Sequence, residues 1–279
     1  MMKLILLTTL ALIAFAANSV LCRLALEQDS MDAVSFTIIR LLSGAIMLLI
    51  VLRFQSHDET KPASPSWWAS VLLFVYAAAF SYAYVLLDTG TGALILFGAV
   101  QITMILYTVL SGHRLPLLAW LGLALALFGF VYLMLPDVSA PSWQGFILMA
   151  ISGVAWGFYT LSGQQSLSPL RDTTLNFIRT IPLALILLLF VMPDIRMDVE
   201  SVVYAVLSGA LASGLGYTLW YMALRGLETS QAAVLQLLVP LIAAGGGLFI
   251  AEPISLRLMI ASALILGGVL LVLLQRPQT

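Results

Sequence analysis

The chain has 279 residues, of which 62% are hydrophobic and only 9% charged, with a formal net charge of −1. A soluble domain carries about 25% charged residues, so this composition excludes an ordinary soluble protein and indicates one embedded in a membrane. The near-neutral charge does not suggest a nucleic-acid partner, and a single cysteine, Cys22, excludes an internal disulfide and a cysteine metal cluster.

Ten apolar segments follow one another along the chain, separated by short breaks that contain proline, glycine or charged residues. Each is close to the length of about 20 residues that a helix needs to cross a bilayer. The predicted spans are 4–22, 33–52, 67–87, 91–110, 116–135, 143–162, 173–192, 201–223, 230–250 and 255–275. We therefore expect an all-α integral membrane protein with ten transmembrane helices.

The second half of the chain repeats the first without a gap, at an offset of 139 residues. Residues 11–40 fall on residues 150–179, and the first segment is therefore read as a helix and not as a cleaved signal peptide. Aligned pairs include Arg40 with Arg179, Tyr82 with Tyr221, and Gly129 with Gly268. Five spans per half is an odd number, so the halves 1–138 and 139–279 are predicted to be inverted-topology repeats. This architecture is typical of secondary transporters, with the site between the halves near mid-depth.

Positive residues are distributed unevenly if the N-terminus is cytoplasmic. Seven would lie inside, namely Lys3, Arg53, Lys61, Arg114, Arg171, Arg225 and Arg276, and three outside, namely Arg23, Arg196 and Arg257. Because loops rich in lysine and arginine stay in the cytoplasm, we expect both termini there. The expected location is the cell membrane, as a multi-pass protein of the bacterial inner-membrane type.

Motifs in both halves resemble the EamA-type members of the drug/metabolite transporter superfamily. They are residues 36–40 (FTIIR), 112–115 (GHRL), 120–122 (WLG), 221–225 (YMALR), 230–233 (SQAA) and 251–254 (AEPI). The resemblance implies a ten-helix carrier, commonly an exporter of small metabolites, with a central cavity lined from both halves. The chain departs from the family where Gln101 replaces a frequent proline and His113 a frequent glutamate. Gln101 therefore indicates a subgroup with its own substrate.

Two arginines fall inside predicted helices, Arg40 in the second and Arg179 in the seventh. A charge at such depth must face the protein interior or a water-filled cavity, and it needs a partner. One interpretation is a site for a substrate carboxylate or phosphate. The other is a structural or gating role, in which each arginine binds carbonyls at a neighbouring helix end. Their equivalence in the repeat favours the structural or gating role, because one substrate rarely needs both.

No aspartate, glutamate or histidine falls near the middle of a predicted helix. A proton-coupled antiporter normally uses a buried titratable group, and a cation exporter a buried carboxylate. The substrate is therefore expected to be neutral, zwitterionic or anionic, and amino-acid-like compounds fit this description.

Amides and aromatic residues within the helices are the candidate substrate-binding groups. An amide in lipid needs a partner, and an aromatic pocket with a few polar groups suits a small, partly apolar metabolite. The candidates are Asn18, Tyr82, Gln101, Trp156, Tyr159, Tyr217, Tyr221 and Gln236. Hydrogen bonding between helices and packing at the membrane interface are the alternative interpretations of these residues.

No enzyme signature, Walker loop or metal-ligand cluster can be assembled from the sequence, so we expect no enzyme activity, cofactor or metal. The predicted function is a secondary transporter, an exporter that works by alternating access as a monomer or homodimer. The alternatives are a proton-coupled drug or metabolite antiporter, a lipid scramblase and a channel.

Overall fold

The computed structural model describes residues 2–27, 30–54, 66–112, 116–136, 140–164, 166, 168–189, 196–224, 226–227 and 234–274. Lys61, His113, Arg114, Arg225, Arg276 and residues 230–233, singled out above, lie outside these ranges. Within them the chain is helical, and one isolated antiparallel bridge joins Met31 to Met197.

The ten helices are numbered α1 to α10 in chain order. They are α1 Met2–Leu26, α2 Ala33–Phe54, α3 Trp67–Leu86, α4 Thr89–Leu110, α5 Leu117–Met134, α6 Trp143–Gln164, α7 Pro169–Leu189, α8 (the consecutive segments Val199–Leu207, Ser208–Leu215 and Gly216–Leu224), α9 Val234–Ile250 and α10 Leu256–Leu273. In the described part of the chain, nine are long and apolar enough to cross a membrane, and α9 is a shorter apolar helix. The fold is thus the predicted all-α membrane architecture of two five-helix repeats.

The predicted spans match these helices to within a few residues at each end. The seventh helix was expected to start at residue 173 but begins at Pro169, four residues earlier. Proline is favoured in the first turn of a helix, where its missing N–H has no partner to lose. What looked like a break before the helix is therefore its first residue.

The contacts between helices follow an approximate two-fold symmetry that exchanges the first repeat with the second. Helix α5 packs on α10, and α2 packs on α7, so each of these pairs joins equivalent helices. The contact of α3 with α6 recurs as α8 with α1, and that of α4 with α6 recurs as α9 with α1. Every one of these contacts joins the first half to the second, so the core of the molecule lies between the repeats.

Helix α8 widens in its middle into a π-helical segment, Ser208–Leu215. This segment packs against α2, where a side chain at Gly209 would collide with Ser43 Oγ and with the carbonyl oxygen of Arg40. Only glycine allows this approach of the two backbones. Wide turns of this kind often occur at functional sites, and here the segment brings Ser213 to the guanidinium of Arg40.

Candidate central binding site

A small cavity of about 20 Å³ lies between the two repeats. It is lined by residues of α1, α3, α4, α6 and α8, namely Phe15, Asn18, Ser19, Tyr76, Phe80, Leu96, Phe97, Trp156, Ala212, Ser213 and Tyr217. Helix α9, which carries the candidate residue Gln236, contributes none of these residues. A volume of this size holds about one water molecule. A metabolite can enter only if the helices around the cavity separate.

Trp156 occupies the centre of an aromatic cluster that joins the halves. Its ring is stacked on Tyr217 with centroids 5.0 Å apart and an interplanar angle of 27°. Tyr76, from the first half, lies 4.7 Å from Trp156, and Tyr159 lies 5.4 Å away. Phe15 meets Tyr217 edge-on at 5.9 Å. Such offset and edge contacts suit the quadrupoles of aromatic rings, and an inserted planar or apolar group could replace them.

Hydroxyl and amide groups occupy one wall of the cavity. The Asn18 Oδ1 atom accepts a hydrogen bond from Ser208 Oγ at 2.6 Å. Its Nδ2 atom donates to the Tyr76 hydroxyl at 3.4 Å. Ser19 and Ser213 complete this polar wall. The cavity therefore combines broad apolar faces with a few directional polar groups, as small-molecule sites generally do.

Arg40 lies directly behind the polar wall and is only 2% exposed. Its Nη2 atom donates to the Tyr76 hydroxyl at 2.7 Å, and its Nε atom donates to Ser213 Oγ at 3.3 Å. The guanidinium carbon also lies 4.7 Å from the ring centroid of Phe80 and 5.1 Å from that of Tyr76. The partners of Arg40 are thus hydroxyls and ring faces, and not the helix-end carbonyls that the structural interpretation expected.

The repeat-equivalent Arg179 has different surroundings. It is half-buried, and its guanidinium carbon lies 5.1 Å from the ring centroid of Trp67, at the first residue of α3. Trp67 does not line the cavity. The two arginines are therefore equivalent in sequence position but differ in environment.

The structure brings together some of the predicted site residues and separates others. Asn18, Trp156 and Tyr217 line the cavity, and Tyr159 is buried beside Trp156. Tyr221 lies farther along α8, with its hydroxyl 3.4 Å from Thr173 Oγ1.

Three further candidates lie away from the cavity lining. Gln101 and Gln236 are buried, at 1% and 7% exposure, but neither lines the cavity. Tyr82 is 37% exposed and does not line the cavity. Contact of these residues with a substrate therefore stays a prediction that requires a different arrangement of the helices.

Sequence reasoning missed the residues of α3 that form the first half's share of the site. Tyr76 and Phe80 are four residues apart and therefore share a face of the helix. Aromatic residues at this spacing are common in any helical core, so nothing marked them as special. Ser19 and Ser213 could have been found, because each is a polar residue close to Asn18 or to the glycines of α8.

A network around Arg23, the basic residue in the last turn of α1, joins the two halves near one end of the helices. Its Nε atom lies 2.8 Å from Glu252 Oε1, and its Nη1 atom donates to the carbonyl oxygen of Tyr84 at 3.1 Å. Glu252 Oε2 accepts from the Thr89 N–H at 2.7 Å. The network ties α1 to the α3–α4 connection and to the segment before α10.

Asp88 lies at the edge of this network, 3.9 Å from Arg23 Nη2. Partial burial and the charge of Glu252 raise the pKa of the Asp88 carboxyl, and the charge of Arg23 opposes this increase. Ionised Asp88 is therefore less favourable here than in water.

Near the other end of these helices, contacts join α3, α7 and α8. Ser70 Oγ donates to Asn176 Oδ1 at 3.1 Å, and Tyr221 meets Thr173 as described above. Nearby, Asp172 in the first turn of α7 is 8% exposed and accepts from Ser166 Oγ at 2.5 Å. Asp172 is a buried carboxylate that the sequence analysis did not single out. The Arg23–Glu252 and Ser70–Asn176 contacts each join the first half of the chain to the second.

Comparison with known proteins identifies the same two-part organisation. A sequence profile of the EamA-like transporter family matches residues 2–135 and again residues 143–274. The chain is 52% identical to an uncharacterized protein of Pseudomonas aeruginosa, over 98% of this chain and 95% of that protein. It is 27% identical to an uncharacterized transporter of Archaeoglobus fulgidus, over 72% and 74% of the two chains.

A solved crystal structure has a similar fold. It matches with a TM-score of 0.64 at 18% identity, over 95% of this chain and 96% of the other. At this identity the likeness concerns the fold alone.

Proposed function

The chain belongs to the EamA-like transporter family, and we propose that it is an exporter that moves a small metabolite across the bacterial inner membrane by alternating access. A membrane-embedded transporter of this family implies a lipid bilayer and a small-molecule substrate. The proposed substrate is neutral, zwitterionic or anionic and amino-acid-like, and both termini are proposed to be cytoplasmic. No cofactor is needed for this activity.

The observation that carries the proposal is the aromatic cavity between the halves. Trp156 and Tyr217 come from the second half and Tyr76 from the first, so substrate held there contacts both. Their rings supply apolar contact, while Asn18 and Ser213 supply orientation. Transporters with inverted repeats commonly bind substrate at this position and expose it by rocking one repeat against the other.

The two ends of the molecule support a rocking mechanism because separate contacts close them. The Arg23–Glu252 ion pair closes one end, and the Ser70–Asn176 hydrogen bond closes the other. Each set can break while the other stays formed. Opening at one end at a time gives alternating access, whereas simultaneous opening would give a channel.

A proton-coupled antiporter is the second candidate function. The observation that favours it is Asp172, a carboxylate that is buried within the first turn of α7. A buried carboxylate can carry a proton through a transport cycle. Asp172 lies near one end of the helices and does not line the central cavity. We therefore prefer uncoupled transport to proton-coupled antiport.

The proposal is tested with purified protein in two steps. Thermal stabilisation is first screened against amino acids, organic acids and nucleosides, and the stabilising compounds are then assayed by counterflow in proteoliposomes. Saturable counterflow, in which unlabelled substrate on one side accelerates uptake of labelled substrate, is the expected result. Flux that rises linearly with concentration would indicate a channel, and movement of labelled lipid without solute flux would indicate a scramblase.

A further inference from the structure

We infer that the substrate carries a monoanionic carboxylate, and that Arg40 binds it together with the hydroxyl of Tyr76. The inference rests on the proposed transport function and narrows its substrate class to carboxylic acids with an apolar remainder. An amino group on the substrate is compatible with the site but is not required by it.

The first reason is an uncompensated buried charge. Arg40 is 2% exposed and forms no ion pair with any carboxylate in the described part of the chain. Burial of an unpaired charge is costly, and the rings of Tyr76 and Phe80 compensate it only in part. An arriving anion would experience strong attraction, because the surroundings of Arg40 exclude water and have a low dielectric constant.

The second reason is the set of donors that remain unused. The Nη1 atom of Arg40 is buried and has no hydrogen-bond partner. The Tyr76 hydroxyl accepts from Arg40 Nη2 and from Asn18 Nδ2, so neither bond uses its own proton. Arginine and a hydroxyl can thus each donate a hydrogen bond to one carboxylate, and hydrogen bonds that involve charged groups are stronger than neutral ones.

The third reason is the position of these donors at the cavity wall. Tyr76, Ser213 and Phe80, which all contact the guanidinium, line the cavity. Arg40 itself does not line the cavity and is one hydrogen bond behind its wall. A displacement of Tyr76 or Ser213 as the cavity expands would open the guanidinium to a bound carboxylate.

The charge and the apolar wall limit the kind of acid. One guanidinium compensates a monoanion, whereas a phosphate monoester carries about −1.5 to −2 at neutral pH and would remain undercompensated. Much of the remaining lining is apolar or aromatic, formed by Phe15, Leu96, Phe97 and Trp156. The remainder of the substrate is therefore an aliphatic or aromatic group.

Arg179 does not duplicate this site, although it occupies the equivalent sequence position. Its guanidinium lies over Trp67, which is not a cavity residue. The equivalence of the two arginines therefore does not argue against a substrate role for Arg40. One anion site, contributed by one repeat, is enough for one carboxylate.

The first test uses the unchanged protein and compares acids with analogues that lack the carboxylate charge. The probes are matched sets: L-phenylalanine, L-phenylalaninamide and phenethylamine; 3-phenylpropionate and 3-phenylpropionamide; and L-leucine and L-leucinamide. Binding is measured by thermal stabilisation of the purified protein and by inhibition of counterflow. At least one acid should bind, with its amide roughly tenfold to a hundredfold weaker, as expected for loss of a hydrogen bond to a charged group.

Variants then assign the preference to a residue. Arg40→Gln should abolish the advantage of the acid over the amide, and the matched control Arg179→Gln should preserve it. Tyr76→Phe keeps the ring against Arg40 but removes the hydroxyl, so it should reduce the advantage of the acid over the amide. This variant tests the inference even if Arg40→Gln fails to fold.

The inference is overturned if no acid of the panel binds, if amides or amines bind as tightly as the acids, or if Tyr76→Phe and Arg40→Gln both retain the preference. The proposed transport function fails separately. Saturable counterflow of an amine, amide or nucleoside would leave transport intact and reject the carboxylate, whereas absence of saturable counterflow for every compound would reject transport.

Discussion

The hydroxyl of Tyr76 lies 2.7 Å from Nη2 of Arg40, so Tyr76 belongs both to the aromatic cavity and to the surroundings of the buried cation. Tyr76 belongs to α3 and Arg40 to α2, while the ring of Tyr76 also packs on Trp156 of α6. Separation of α3 from α6 would therefore disturb the cavity and the surroundings of the guanidinium together. The charge of Arg40 is thereby coupled to the opening of the cavity.

Replacement of Trp156 should weaken substrate binding. Trp156→Phe keeps a ring beside Tyr76 and Tyr217 and should lower affinity modestly, whereas Trp156→Ala should lower it about tenfold or more, since truncation of a buried aromatic anchor can cost about 2 kcal/mol. The measurement is the concentration dependence of thermal stabilisation by an identified substrate.

The matched control is Trp143→Ala, at the exposed start of α6, where the side chain is 60% exposed. It should leave affinity unchanged. Equal loss of affinity in the Trp143 and Trp156 variants would contradict substrate binding in the cavity.

Two adjacent glycines of α10 should respond oppositely to alanine. A Cβ atom at Gly268 would lie 2.5 Å from the carbonyl oxygen of Gly122 on α5, whereas one at Gly267 would meet nothing within 4 Å. Gly268→Ala should lower the free energy of unfolding by about 1–3 kcal/mol through overpacking. Gly267→Ala should be neutral, or stabilising by up to about 1 kcal/mol from helix propensity.

Thermal unfolding of the two variants in detergent checks this prediction. A Gly268→Ala protein as stable as Gly267→Ala would mean that α5 and α10 do not pack as closely as described.

Transport should proceed without a pH gradient. In the described ranges, no aspartate, glutamate or histidine lies in the middle of a helix, and Asp172 and Glu252 lie near helix ends. Flux of an identified substrate into proteoliposomes should persist when internal and external pH are equal. Strict dependence on a gradient would contradict the account and make Asp172 and Asp88 the first residues to replace.

Asp88 and Asp198 should contribute to stability with opposite dependences on pH. The pKa of Asp88 is raised, first by burial and then by Glu252, so its ionised form destabilises the fold above that pKa, and acidification relieves the cost. The pKa of Asp198 is lowered by hydrogen bonds from Ser201. Its contribution is present above the unfolded pKa and is lost as pH falls through the folded pKa.

Thermal unfolding as a function of pH tests both signs. On acidification, wild type should gain stability relative to Asp88→Asn and lose stability relative to Asp198→Asn. The same trend for both variants would show that the pKa of Asp88 or that of Asp198 is shifted in the opposite direction.

Topology can be tested without any knowledge of the substrate. Reporter fusions at Asp137 and Thr279, after five and ten helices respectively, should report opposite sides of the membrane, with Thr279 cytoplasmic. The physical reason is that each half crosses the bilayer an odd number of times. Reports from the same side would contradict the inverted repeat.

The helices and the repeat could be read from the sequence because both depend on simple periodic properties. Runs of apolar residues of membrane length are unambiguous, and the alignment of Arg40 with Arg179 revealed the duplication. The start of α7 at Pro169 was missed because proline serves equally as a helix break and as a first-turn residue.

The site was harder to predict, because the face of a helix that lines a cavity depends on its neighbours. Tyr82 and Tyr76 lie on the same helix, yet Tyr82 is 37% exposed while Tyr76 is 5% exposed and contacts the centre of the site. In an apolar environment, hydrophobicity does not distinguish the lipid-facing side from the interior. Trp156 and Asn18 were identifiable because their size or polarity is costly anywhere else.

The most direct test of alternating access is whether one cavity position can be reached from both sides of the membrane. Ala212 lines the cavity, and Cys22 is the single native cysteine. In a Cys22→Ala background, Ala212→Cys is treated with a charged, membrane-impermeant thiol reagent in right-side-out and in inside-out vesicles. Ala126→Cys, at a fully buried position of α5 outside the cavity lining, is the control. Alternating access predicts labelling of Ala212→Cys from both sides, slowed by bound substrate, and none of Ala126→Cys. Labelling of Ala212→Cys from one side only, or from neither, would contradict it.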